Sequence, residues 1–536
     1  MQMPAQPLLY PGPEGLLLLD ELTVAHTVGC RQVFHAPTKD PANPILVAEH
    51  AWEGRGPYTW GTRLLTNPDT GEYDLFYVGY RMEDNHYRWG LASSVDGLQW
   101  SRRHLGVESF DGRPAANMLS GGPHPDKAVR AVVRDPRPEC PAQERYKGLR
   151  FTYDGAFASY SPDGRRWVED AGNPVWSVPS DVIHTLWDPH RACFVAYYKV
   201  WEIAGETPDA TSPTGYRPIT VHLPSFEHRV RPDGLTELSG PIITWDPAGA
   251  ATVHPGVVLL RTGQQGMDDG GGGPLTGAWH SRRVTAWAES HDWRRWGHER
   301  VVVGCDERDR PDANIQCTFV FPWAGYYLAL LTLHDERGHF EQQLAFSHDG
   351  LTWHRPWRGA FIGLGPPGSF DCGMVLAPTD PVVTSTQMLF YYGGFNTLHY
   401  LPMAEPWSAA IGRTILRRDG FCSWDSLPGA SATITTQPLA SDGSVLWVNA
   451  DASAGWLRVE VIDEHGQAVP GYEALACQGL CEDTASQPQC RAVIAWNQAQ
   501  QLPAGPIRLR FHLHEARLFA FGCGAAAGQG GGASAE

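Results

Sequence analysis

Acidic residues recur in this chain directly ahead of short apolar runs: Asp126 in "PDKAV", Asp181 in "SDVIH", Asp312 in "DANIQ" and Asp371 in "FDCGM". A fifth acid, Glu53 in "WEGRGPYTW", precedes the corresponding run near the N-terminus. Two neighbouring carboxyl groups in different environments can divide the work of general acid and of base or nucleophile. A single aspartate at a strand start often only satisfies a free backbone amide. A convergent set of carboxylates is costly unless it is used. Glu202 lies between Trp201 and Ile203, and apolar neighbours raise a carboxyl's pKa, which suits an acid. More polar groups fall in "RMEDNHY" (Arg81, Glu83), "YYKVWEI" (Lys199), "LHDERGHF" (His334) and "GGFNTLHY" (His399). The 11 cysteines are scattered without a Cys-x-x-Cys pair, so no structural zinc site is expected. No spacing demands a calcium ion, and no cofactor is implied.

A repeat indicates what positions these groups. "SVDGLQW" (Ser94–Trp100), "SPDGRRW" (Ser161–Trp167), "SHDWRRW" (Ser290–Trp296) and "SHDGLTW" (Ser347–Trp353) share one pattern, and "RRDGFCSW" (Arg417–Trp424) is a degenerate fifth copy. Asp-Gly between two apolar runs is a tight hairpin signal, and the serine and aspartate side chains can bond turn amides. Two further strand-like runs precede each copy. Each unit therefore reads as four strands A–D with the motif at the C–D turn, and five units make a five-bladed β-propeller. The interval from Ser161 to Ser290 is about twice the others, so blade three is expected to carry an insertion at about 204–277. From 429 to 524 alternating strands without the repeat predict a C-terminal β-sandwich. The expected division is thus 1–428 propeller, 429–524 sandwich and a low-complexity tail at 525–536.

Strand direction sorts the acids. If strand A starts at the top, the C–D and A–B turns lie at the bottom. The repeated aspartates Asp96, Asp163, Asp292 and Asp349 are then structural. Asp135, in the Arg-Asp-Pro triplet of "VVRDPRPE", closes a strand A and falls at the bottom too. The strand-A entries and the B–C loops share the top, which gathers the acids of the first paragraph with Arg81, Lys199, His334 and His399.

The net charge of −17 argues against a nucleic-acid surface. The N-terminal stretch lacks a basic n-region and a long apolar run, so neither a signal peptide nor a membrane span is read, and a cytoplasmic protein is the expectation. Oligomeric state is not readable.

The blade pattern, the opening "DPANPILVAEHAWEG…YTWGT", the late "YYGG…H" and the trailing sandwich resemble the five-bladed glycoside hydrolases of families 32, 43, 68 and 130. That resemblance implies a glycosidase with a carbohydrate substrate, a furanoside such as an arabinofuranoside or fructofuranoside being favoured. It also implies carboxylates at one mouth of the central channel, one protonating the leaving oxygen and a second attacking the sugar or activating water. Asp181 and Asp371 are the expected base, nucleophile or stabiliser, and Glu202 the acid, with Asp126, Asp312 and Glu53 in reserve. Trp60 and Trp201 would stack on sugar faces. An insertion over the mouth would favour exo-cleavage of short glycosides. The resemblance leaves open a non-catalytic glycan-binding propeller and a phosphorolytic or transferring enzyme. The motif also resembles the Asp-box of sialidases, one residue shorter, which in those enzymes lies away from the active site.

Overall fold

The computed structural model describes residues 8–524 except 61–62, 121–130, 153–154, 178–179, 225–226, 246–250, 262–279, 336, 377–379, 400–406, 464 and 482–489. Asp126, the glycine-rich end of the insertion and the tail fall outside the described residues.

The chain is an all-β five-bladed propeller followed by a β-sandwich. Blade one carries Leu64–Thr66, Tyr73–Arg81 and His86–Ser94, and blade two Ala131–Arg134, Tyr146–Thr152, Gly155–Ser161 and Val168–Glu169. Blade three carries Ile183–Asp188, Cys193–Pro208, His280–Ser290 and Gly297–Val303. In blade four Asn314–Trp323, Tyr326–His334 and Phe340–Ser347 are paired. Its outer segment forms backbone bridges with the sheet at His354 and Ile362. Blade five has Met374–Leu376, Gln387–Phe395 and Ala409–Arg417, and its outermost strand is Thr38–Lys39 from the N-terminus.

The motif closes each C–D turn as its residue types dictate. Asp96 Oδ1 accepts from the amides of Leu98 and Gln99 at 2.7 and 3.0 Å, and Ser94 Oγ accepts from Gly97 N at 2.9 Å. The bonds repeat at Ser161/Asp163, Ser290/Asp292 and Ser347/Asp349. The residue after the aspartate has positive φ, 71° at Gly97, 73° at Gly164 and 71° at Gly350. In blade three Trp293 takes that position at 67°, a conformation that costs a side-chain-bearing residue about 1 kcal/mol. Its fully buried indole offsets this by packing edge-on to Phe194 and donating to Gly148 O of blade two at 3.3 Å. The turns also join blades: Tyr197 OH donates to Gly350 O at 2.9 Å, and Tyr391 OH to Gly97 O.

The fifth copy behaves differently. After Asp419 and Gly420 the chain does not return as a blade strand. It enters a sandwich sheet as Cys422–Ser426, paired with Cys30–Phe34. Leu16–Leu17 and Val24–Val28 also pair in the two sandwich sheets. This corrects the expected boundaries: three N-terminal strands assigned to the propeller lie in the sandwich, because their partners, such as Ala432–Thr436 and Arg517–Gly524, are distant in sequence. Alternating residues such as Leu457, Val459, Val461, Leu509, Phe511 and Leu513 fill the sandwich core. The insertion is likewise sheet. Tyr216–Leu223, Leu235–Trp245 and Ala251–Arg261 extend the blade-three sheet beyond the top of strand B, around Ile203, Leu223, Leu238 and Leu260.

Candidate active site

At the top of blade three the strand-A entry meets strand B in an ion pair. Asp181 Oδ1 lies 2.5 Å from Lys199 Nζ, with the lysine nearly buried and the aspartate side chain 35% exposed. The entry is pinned behind it, since Lys199 N donates to Val182 O and Ser180 Oγ lies 2.9 Å from Lys199 O. Side chains alternate along a strand, so Lys199 and Trp201 share one face. On strand C, Arg283 stands opposite Trp201 in register, its guanidinium 4.7 Å from the indole centroid. Arg283 Nη1 is 2.5 Å from Gln316 Oε1 and 3.4 Å from His334 Nδ1, both in blade four. The buried His334 ring packs on Phe340 at 4.9 Å and on His399 of blade five at 5.5 Å. Residues of three blades thus meet at one mouth.

The electrostatics follow from burial and from the cations. Burial, then the Arg283 charge, lowers the His334 pKa to about 2. His399 keeps an open edge. Its ring packs on His334 and Phe340. Desolvation, then Arg283 and Lys199, bring its pKa to about 4, with Asp181 opposing. Both imidazoles are therefore neutral at neutral pH and can accept as well as donate hydrogen bonds.

A polar chain continues into blade four. Arg283 N donates to Asn314 Oδ1 at 2.8 Å, and Asn314 Nδ2 to Asp312 O at 3.1 Å. Both Asp312 oxygens accept from Arg310 at 3.1 Å. Arg310 also lies 3.8 Å from Asp335, which binds His339 at 3.1 Å. His399 N donates to Gly338 O at 3.0 Å. Asp312 precedes the first strand residue of its blade by two positions, as Asp181 does in blade three.

The other expected residues stand elsewhere. Glu53 is fully buried in the turn Ala51–Glu53. Its Oε1 accepts from Tyr77 OH at 2.6 Å and Arg102 Nε at 2.9 Å, and its Oε2 from the amides of Glu49 and His50. It is committed to blade-one packing rather than to the mouth. Asp371 is 2% exposed and bound by Lys39 Nζ, Tyr392 OH at 2.7 Å and Ser369 Oγ at 2.8 Å. Burial pushes its pKa up, but Lys39 and the two hydroxyls outweigh it and hold the carboxyl below its usual range. It fastens the N-terminal strand to blade five. Glu202 has the parity opposite to Lys199 and Trp201; it bonds His222 of the insertion at 3.1 Å. Arg81 and the exposed Glu83 form a surface network with Asp84, Asp111 and Phe110. Trp60 is half-buried against Tyr58 and Tyr87. Asp135 is buried between Arg137 (2.8 Å) and Lys147 (3.3 Å). Burial raises its pKa, but those cations prevail and bring it to about 2.

Arg283 is a mouth residue that the sequence pattern does not single out. Its signal is nevertheless present: in "SRRVTAWAES" it is the fourth residue of strand C, at the mouth end and shortly after the insertion.

Neither a family model nor a curated protein matches the chain. Solved structures do. BT0996 in its complex with RGII matches with a TM-score of 0.39 and 11% identity, over 71% of this chain and 92% of that one. A GH130 structure, from work on hydrolases targeting β-1,2 mannosidic linkages in Candida mannan, gives 0.34 and 11%, over 72% and 94%. A Bombyx mori GH32 β-fructofuranosidase gives 0.30 and 11%, over 92% and 93%.

Proposed function

We propose that the chain is a glycoside-cleaving enzyme whose site is the mouth shared by blades three, four and five. The observation that carries this reading is the Asp181–Lys199 pair beside Arg283, His334 and His399, with Trp201 as aromatic wall. Asp181, held against an ammonium and partly open, suits a base, a nucleophile or a stabiliser of positive charge at the anomeric carbon. Asp312 occupies the equivalent entry of the next blade and is the second carboxylate of the pair. Trp201 offers an apolar face to sugar C–H groups. Lys199, Arg283 and the neutral histidines supply donors and acceptors for hydroxyls.

Arg283 favours one second reading, phosphorolysis. With Lys199 it sets two cationic side chains at the same mouth, as a phosphate co-substrate requires. The test is a panel of aryl furanosides and pyranosides, each with and without inorganic phosphate. Hydrolysis is expected without phosphate, and strictly phosphate-dependent release would favour the second reading. Asp181→Asn and Asp312→Asn should each cut turnover by about 10²-fold or more. Full activity in both variants would overturn the site, and sugar binding without turnover would make the propeller a glycan-binding module.

A further inference from the structure

Two cavities adjoin along the outer edge of blade four, away from the insertion that extends blade three. The first, of about 210 Å³, is lined by His334 and His339 from the mouth side and by Glu341. The second, of about 870 Å³, lies between blade four and the N-terminal strands and is lined by Trp353, His354, Trp424 and Asp20. Arg308 and Arg358 border both. Along this edge the outer segment of blade four forms backbone bridges with strand C at His354 and Ile362, and between them Gln343 accepts from Arg355 Nε at 2.9 Å and donates to Arg358 O at 3.1 Å.

The walls are rigid. Arg355 binds both oxygens of Asp309 at 2.7 Å, and Arg358 binds Asp309 at 2.9 Å and Asp306 at 2.6 Å. Arg308 Nη2 donates to Pro356 O at 3.0 Å. Bidentate pairs of this kind fix a surface before a ligand arrives, so little ordering entropy is lost on binding.

We infer that this edge is a track for a glycan chain, carrying successive sugar units from the channel mouth past Arg308 and Arg358 into the cleft beside Trp424. The inference rests on the glycan-cleaving reading of the mouth and names its substrate class as an oligosaccharide of several units. His334 carries the argument at one end, since it contacts Arg283 in the mouth and also lines the first cavity. The lining chemistry carries it along the way. Arg355 and Arg358 are internally paired with Asp306 and Asp309, so the walls offer hydrogen bonds with little excess charge. Two half-buried tryptophans supply aromatic surface at the far end. An uncharged polyhydroxylated chain fits such a lining, whereas the net charge of −17 disfavours a polyanion. Strand C, Phe340–Ser347, gives the edge a length of about 26 Å.

The test uses the full chain carrying Asp181→Asn, so that ligands persist. Calorimetry measures arabino-, xylo-, manno- and fructo-oligosaccharides of two and of six units. In the series that binds, the hexasaccharide should bind about tenfold tighter than the disaccharide or better, and quench tryptophan fluorescence. Arg308 and His354 are exposed. Adding Arg308→Ala and His354→Ala should bring the affinity ratio towards one, with the melting temperature unchanged. Disaccharide binding with a ratio near one in the parent would overturn the track and leave the mouth standing. Failure of every ligand to bind would overturn the glycan reading and the track with it.

Discussion

At the bottom of four blades one short segment ties itself off: a serine and an aspartate two residues apart satisfy the turn amides beside them. At the top several contacts join residues far apart in the chain. Arg283 reaches Gln316 and His334, and His399 packs on His334 from another blade. Two acids, one from each end, stand in opposite conditions. Asp135, in a bottom turn, is sealed and saturated by cations, whereas Asp181 at the mouth is partly open. A carboxylate's use is thus set less by its spacing in sequence than by how completely its neighbours satisfy it.

Four substitutions would sharpen or break that contrast. The largest effect is expected for Asp181→Asn, which should cost about 10²–10⁴-fold in turnover and move the denaturant midpoint little. Asp135→Ala should do the reverse, leaving the buried Lys147 without the nearer of its two carboxylate partners. A loss of about 3–5 kcal/mol in urea unfolding is expected, with kcat retained in the folded fraction. Loss of kcat there would show that the bottom acid serves the mouth after all. Asp349→Ala removes a local turn acceptor and should cost about 1–2 kcal/mol without touching activity.

The smallest effect concerns pH. His334 and His399 have folded pKa values of about 2 and about 4, below the ordinary value of about 6.5. The unfolded chain therefore binds protons that the folded chain refuses, so stability declines as pH falls below about 6.5. The decline from His399 ends near pH 4, and that from His334 continues towards pH 2. Asp135 adds a carboxylate contribution present above the unfolded pKa of about 3.8 and lost as pH falls through about 2. Unfolding curves from pH 7 to pH 5 should be shallower in pH dependence for His334→Asn than for the parent. An unchanged slope would mean that the imidazole is already protonated in the fold.

The difference between the two ends also decides what is legible in the sequence. The turn motif announces the blades because its bonding is complete within seven residues. It marks Asp96, Asp163, Asp292 and Asp349 as turn residues, and their carboxylates do accept from turn amides. Glu53 and Asp371 look like mouth residues by position. Their actual partners are Arg102 and Tyr77 in one case, and Lys39 and Tyr392 in the other. No local pattern pairs Lys39 with a residue of blade five. The sandwich boundary is misplaced for the same reason, since Cys30–Phe34 is a strand only by virtue of Cys422–Ser426. Arg283 is hidden by lying in a strand rather than in a loop.

Thr38–Lys39, the outer strand of blade five, has a further consequence during synthesis. It is made ahead of every blade, but its partners Thr414 and Ile415 emerge only after the other four blades. Until then blade five lacks its edge and the ring stays open. Such long sequence separation slows folding, and the unclosed sheet exposes an edge to other chains. Thr38–Lys39 is thus a latch that can engage only once all five blades have been made.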